Sequence, residues 1–176
     1  MTATAALVLT CGACTIPIGV PEQESAPTPV PAPAPSEATS SVARYVTAAV
    51  NGARHANGLA PLEQQEALAR AAQGHAEELA ERRTLDHNST DPARRTMTMR
   101  IEAAGATWLR AAENLASMSG TASAVPAQTV RMWLGSDGHR RNMLSQAYTH
   151  TGVGVAIDRR GIWYVTQLYV LPRADR

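Results

Sequence analysis

Three residues with chemically useful side chains, His87, Glu113 and His139, follow one another at intervals of 26 residues. His87 sits in the polar run Leu85-Asp86-His87-Asn88-Ser89, just after an amphipathic helical stretch. His139 lies in Ser136-Asp137-Gly138-His139-Arg140-Arg141-Asn142-Met143-Leu144, where Ser136 or Asp137 can cap a short helix with His139 in its first turn. The positive end of a helix disfavours imidazolium, so His139 is expected to stay neutral. A neutral imidazole can bind a metal ion or accept a proton. Glu113 is the only acid between Glu102 and Asp137, in an otherwise apolar extended segment. A carboxylate buried in such a segment needs a partner. Spacing alone does not bring the three together.

The other three histidines read differently. His55 falls at a helix end beside Asn57-Gly58 and is expected in solvent, while His150 opens a strand and reads as structural. His75 lies on the apolar stripe of a helix, the usual place of a hydrogen-bonded core histidine rather than of a ligand. The arginine pairs 82-83, 94-95, 140-141 and 159-160 are scattered, as on solvated faces; Arg140-Arg141 adjoins His139 and could attract a phosphate or carboxylate.

Composition removes other chemistries. All 16 basic residues are arginine, which excludes a Schiff-base, P-loop or kinase lysine. A formal net charge of +1 is too small for the electrostatic footprint of a nucleic-acid binder. Both cysteines, Cys11 and Cys14, precede residue 15, so the remainder can form no disulfide, thiolate nucleophile or cysteine–zinc site.

Residues 1–20 read as an address: an apolar stretch from Ala3 to Ala13 ends in small residues, like an export signal. Leu9-Thr10-Cys11-Gly12-Ala13-Cys14 resembles a bacterial lipobox, with Cys14 the candidate for lipidation because Ala13 precedes it. Residues 21–41 form a Pro/Ala-rich linker in which Pro27, Pro29, Pro31, Pro33 and Pro35 alternate with other residues. This pattern favours extended polyproline II and a tether of roughly 60 Å.

Residues 42–176 read as one domain, helices first and hairpin last. Val42, Val46 and Val50 mark a first helix closing at Asn57-Gly58. A second helix is predicted from about Glu63 to Arg83, with Leu68, Ala71, Ala72, His75, Ala76, Leu79 and Ala80 as its buried stripe. Asp91-Pro92 starts a third, running through Ala104, and Pro126 starts another carrying Val130, Trp133 and Leu134 on one side. Trp108 to Ala116 reads as extended. Val153, Val155 and Ile157 alternate with Gly152, Gly154 and Ala156, and a β-rich run follows from Ile162 to Val170, which is the pattern of an antiparallel hairpin. Its glycine face is nearly free of side chains, so a helix or a ligand must pack close against it. Trp133 and Trp163 are expected in the core, and Asn114 in a scaffold role.

In order, Asn51-Gly52-Ala53-Arg54 with Asn57-Gly58-Leu59-Ala60-Pro61-Leu62, the His87 segment, Glu113-Asn114-Leu115-Ala116, Trp133 to Leu144, Gly152 to Ala156 and Trp163 to Gln167 resemble bacterial exported domains of the CAP superfamily. This SCP-like group takes its name from cysteine-rich secretory proteins, antigen 5 and pathogenesis-related proteins. The resemblance spans about residues 42–170. It implies an α+β fold, a three-layer α-β-α sandwich with a central, mainly antiparallel sheet and a surface cleft. In many members two histidines and two glutamates line the cleft; the matching positions here are His87, Glu113 and His139, and the second glutamate falls near Ser136.

His87, His139 and Glu113 would then form the ligand set of an open zinc or other divalent-metal site with water in the fourth position. Alternatively, Glu113 orients a histidine that activates Ser136 or a water for hydrolysis of peptide or envelope glycan. In a third reading the three merely fix the cleft as a hydrogen-bond cluster. The expected protein is an exported, lipid-anchored monomer of the bacterial cell envelope. It would bind a metal ion, a small ligand, a lipid or another envelope component, act as a hydrolase, or serve as an adhesion or scaffold module. It would meet the membrane only through its N-terminal lipid.

Overall fold

The computed structural model describes residues 36–173. The export-signal reading, Cys11 and Cys14, and the proline alternation lie outside the described residues. Helix α1 (Glu37–Ala56) begins directly behind the last proline of that run. Ser36 caps it, its hydroxyl accepting the Thr39 amide at 3.2 Å, and Glu37 occupies the first turn. Residues 37–41, read from sequence as linker, therefore belong to the first helix. A cap and a first-turn acid start the helix as soon as proline stops forbidding it.

Next come β1 (Glu63–Gln64) and α2 (Glu66–Arg82). The two strand residues were expected at the start of α2; they pair instead, parallel, with His150 and Thr151. All seven residues of the expected α2 stripe are buried. The helix stops at Arg83, which takes a left-handed conformation at φ 55°. The third expected helix is two elements, a 3₁₀ turn (Pro92–Arg94) capped by Asp91 and α3 (Met97–Ala103) capped by Thr96. The competing cap at Thr96 restarts the chain. Then follow β2 (Arg110–Met118), α4 (Val125–Leu134), α5 (Asp137–Met143), β3 (His150–Ile157) and β4 (Trp163–Leu171).

The strands form one mixed sheet in the order β1-β3-β4-β2, with β3–β4 and β4–β2 antiparallel and only the short β1–β3 pairing parallel. Alternation along the strands separates two cores. Val153, Val155, Val165 and Tyr169 meet Val42, Val46 and Val50 of α1 together with Trp133 of α4 and Met143 of α5. Leu168 and Val170 meet Leu68, Ala71 and Ala72 of α2 with Ile101 of α3. The result is the three-layer α-β-α sandwich, with α1, α4 and α5 on one face and α2 and α3 on the other.

The glycine face of β3 is covered by α2. A Cβ on Gly152 would overlap backbone atoms of Leu68 and Ala69, and one on Gly154 would overlap those of Ala72 and Gln73. Helix backbone thus lies directly on strand backbone. Gln73 completes the contact: its side chain accepts the Val155 amide at 3.0 Å and donates to the Val155 carbonyl at 3.1 Å.

Gly152→Ala and Gly154→Ala are each expected to lower stability on the order of 3 kcal/mol, because backbone cannot move aside as a side chain can. Gly52→Ala, on the exposed side of α1 with open space around it, should instead add about 0.5–1 kcal/mol. Denaturant unfolding of the three variants measures this; similar small effects in all three would refute the close approach.

Candidate functional site

Strand β2 is an edge of the sheet, and its adjacent residues Glu113 and Asn114 project to opposite faces. Glu113 points toward the α2–α3 side. One of its carboxylate oxygens accepts from His87 Nδ1 at 2.8 Å and the other from the Arg100 guanidinium at 2.6 Å. The Glu113 and Arg100 side chains are only 3% and 4% exposed, against 60% for the His87 side chain. The carboxylate is thus buried beneath an accessible imidazole. Since it can only accept, His87 carries its proton on Nδ1 and presents Nε2 away from Glu113.

Two buried side chains hold the loop that carries His87. His75 Nε2 donates to the Asp86 carbonyl at 2.9 Å, and Arg100 donates to the His87 carbonyl at 3.1 Å. His75 is therefore the core histidine its place on the helix implied, and the residue it serves is the neighbour of His87. Arg100 holds both halves of the pair, the backbone of His87 and the carboxylate of Glu113. Sequence reading missed it. Among sixteen arginines nothing marks Arg100 except its place within α3, and only the demand of a buried Glu113 for a partner signalled that such a residue must exist.

On the other face of β2, Asn114 donates to the His139 carbonyl at 3.0 Å and accepts from the Asn142 amide at 2.9 Å. Asn114 thus fixes α5, in whose first turn His139 lies, as the scaffold reading expected. His139 is partly buried, and it lies close enough to His87 to feel its charge. Burial, then that charge, lowers its pKa below the ordinary value. The direction matches the sequence argument, with burial the largest cause. His87 is shifted the other way: its hydrogen bond to Glu113 raises its pKa, against the opposing effect of burial. Ser136 takes the N-cap position of α5 without a capping bond from its side chain, and no hydrogen bond joins it to either histidine among the described residues. A groove of about 380 Å³ opens over His87 and Glu113, walled also by Asn88, Thr96, Met97 and Thr98. Among the described residues no group of three or more His, Cys, Asp or Glu side chains is arranged to hold a metal ion. Glu113, with both oxygens engaged, supports His87 rather than offering a third ligand.

The family model described as CAP, the cysteine-rich secretory protein family, matches residues 47–169. The chain belongs to the CAP family. This CAP domain is 31% identical over 138 residues to "Uncharacterized protein YkwD" of Bacillus subtilis strain 168, an alignment covering 77% of the chain and 50% of YkwD. Among solved structures it resembles an extracellular protein containing a SCP domain from Bacillus anthracis strain Ames (25% identity, TM-score 0.64; 75% of this chain, 41% of that one). The chain spans half or less of the length of both relatives. The fold also matches NaASP2, solved with Zn2+ (14% identity, TM-score 0.54; 77% of this chain, 82% of that one). Among the described residues of the CAP domain no helix is long and apolar enough to cross a membrane.

In an NMR titration, His87 is expected to lose its proton at a pH above 6.5 and His139 at a pH below it. Glu113→Gln removes the charge that favours imidazolium and should bring the His87 transition down. A His87 transition unmoved in that variant would sink the assignment of Glu113 as its partner.

Proposed function

We propose that this CAP domain is exported and lipid-anchored in the bacterial cell envelope, and that its cleft binds a divalent metal ion or a small ligand between His87 and His139. The observation that carries the reading is the 2.8 Å bond from His87 Nδ1 to a buried carboxylate. A carboxylate on one ring nitrogen is the usual support of a metal-binding histidine, fixing its tautomer and aiming the other nitrogen outward. His87 Nε2 and the His139 imidazole would hold the ion, with water or ligand in the remaining positions. The ion would supply a Lewis acid and an acidified water. Zinc suits two imidazoles and is the ion to try first. Apolar residues ending at Ala13-Cys14, the proline tether behind them and the extracellular B. anthracis relative support the location. An envelope component, lipid or glycan, is the class of partner such a location presents.

A second reading rests on the opposed shifts of the two histidines. Neighbouring groups whose environments push their pKa values apart are suited to acid and base roles. His139, kept neutral, would take a proton from water. His87, kept charged by Glu113, would give one to a leaving group, which is the chemistry of a hydrolase acting on peptide or glycan.

Calorimetric titration of the full chain with zinc is expected to show binding at about micromolar Kd. His87→Ala and His139→Ala should each abolish it, and Glu113→Gln should weaken it by about 10–100-fold. An absence of binding in the unaltered protein overturns the metal reading; cleavage of peptide or glycan that is lost in His139→Ala would then establish the acid–base one. Cys14→Ala should move the protein from the membrane fraction to the soluble fraction, and unchanged fractionation would refute the anchor.

A further inference from the structure

A cavity of about 250 Å³ lies between the loop after α1 and the segment that joins α5 to β3. Arg54, Ala60, Gln146, Tyr148 and Thr149 are among its walls, and it shares no wall residue with the groove over His87. Arg54, in the last turn of α1, is only 2% exposed. Its Nε donates to the Ala60 carbonyl at 3.0 Å, and its Nη1 donates to the carbonyls of Met143 and Ser145 at 2.8 and 2.9 Å. The other terminal nitrogen, Nη2, has no acceptor among the described residues. Arg100 Nε and His75 Nδ1 are also unpartnered, but they are shut off from solvent. Arg54 Nη2 keeps accessible surface, in a residue that lines the cavity.

A charge taken out of water needs compensation. The buried guanidinium of Arg100 has it, resting on Glu113 at 2.6 Å. Among the described residues no carboxylate does the same for Arg54. The one ionisable group whose charge bears on it is Tyr169, and burial pushes that phenol well above its ordinary pKa of 10.0, so it is neutral near pH 7. The Met143 carbonyl, at the C-terminal end of α5, carries a partial negative charge that offsets part of the cation. The remainder is unbalanced.

The walls suit an anion in two further respects. No acidic side chain is among them. Gln146 is exposed and Tyr148 half-buried, and neither the Gln146 amide nor the Tyr148 hydroxyl is committed to a hydrogen bond among the described residues.

We infer that this cavity is a binding site for a small oxyanion, a carboxylate or a phosphate group, whose oxygen accepts from Arg54 Nη2. Gln146 and Tyr148 supply further donors. Bonds from a guanidinium to an oxyanion are charge-assisted and roughly twice as strong as neutral ones. The volume lies below the roughly 300–1,000 Å³ usual for drug-sized ligands, so it suits a group of a few heavy atoms and excludes an oligosaccharide or a long acyl chain.

The test is an NMR titration of the full chain with sodium phosphate and with sodium acetate, beside sodium chloride at matched ionic strength. Saturable shifts of the Arg54 Nε–H and of the Ala60, Gln146 and Tyr148 amides are expected with phosphate or acetate and not with chloride. The tighter of the two identifies the oxyanion. Arg54→Ala would also remove the bonds that pin α1, so the discriminating variants are at exposed Gln146. Gln146→Glu should weaken binding and Gln146→Arg should strengthen it, each about fivefold, the effect of one unit charge about 4 Å away in water. Both should keep the unfolding temperature within a few degrees of the unaltered protein. Four outcomes overturn the inference: no saturable shift with either oxyanion, equal shifts with chloride, shifts centred on His87 and His139, or affinity unaltered in a folded Gln146→Glu.

Discussion

A carboxylate buried at the edge of a sheet has to be neutralised where it lies, and the candidate site of this CAP domain is built around that requirement. Glu113 has Arg100 on one oxygen and His87 on the other. Removing one member of the buried Arg100–Glu113 pair strands the charge of the other, at a cost of about 3–5 kcal/mol. The loop after α2, helix α3 and strand β2 are therefore bound to one point. The next residue, Asn114, faces the opposite way and ties β2 to α5 through the His139 carbonyl and Asn142. Two consecutive residues of an edge strand thus join both helical layers, each bringing one histidine toward the same edge.

The family takes its name from cysteine-rich proteins, yet from residue 15 onward this chain has no cysteine. A disulfide acts largely by restricting the unfolded chain, so this domain's stability has to come from contacts made only when folded. Buried guanidinium groups supply many of them. Arg54, 2% exposed, donates to the carbonyls of Ala60, Met143 and Ser145, pinning the end of α1 to segments up to 91 residues away. Arg100 does the same for the opposite layer. In both cases one planar cation with five donors gathers carbonyls from separate segments of the chain.

What could be read from the sequence follows from which signals are local. The α2 stripe and the alternation of β3 are periodic, and the glycines on one face of β3 require a close neighbour whichever element supplies it. Those readings match the structure residue by residue. Boundaries were less legible where two local signals compete. Thr96 restarts a helix that the Asp91-Pro92 signal carried through in sequence, and Glu63-Gln64 joins the sheet because the Thr149 and Thr151 carbonyls accept the Glu63 and Gln65 amides, which no local pattern announces. Least legible was Arg100. Its role is defined by Glu113, 13 residues away and in another element, and by the His87 carbonyl in the loop that follows α2.

The bond that orients His87 also raises its proton affinity, so the site is asymmetric by construction. A carboxylate held only by His87 would be a strong base toward its partner. Here Arg100 takes the second oxygen and moderates that pull, since its own charge opposes the His87 proton. His139 has no such carboxylate, and burial and the charge of His87 lower its pKa. A cation entering the cleft would compete with the His87 proton, whose affinity the Glu113 bond raises. Glu113 and Arg100 thus act on the proton affinity of His87 in opposite directions, the first raising it and the second lowering it.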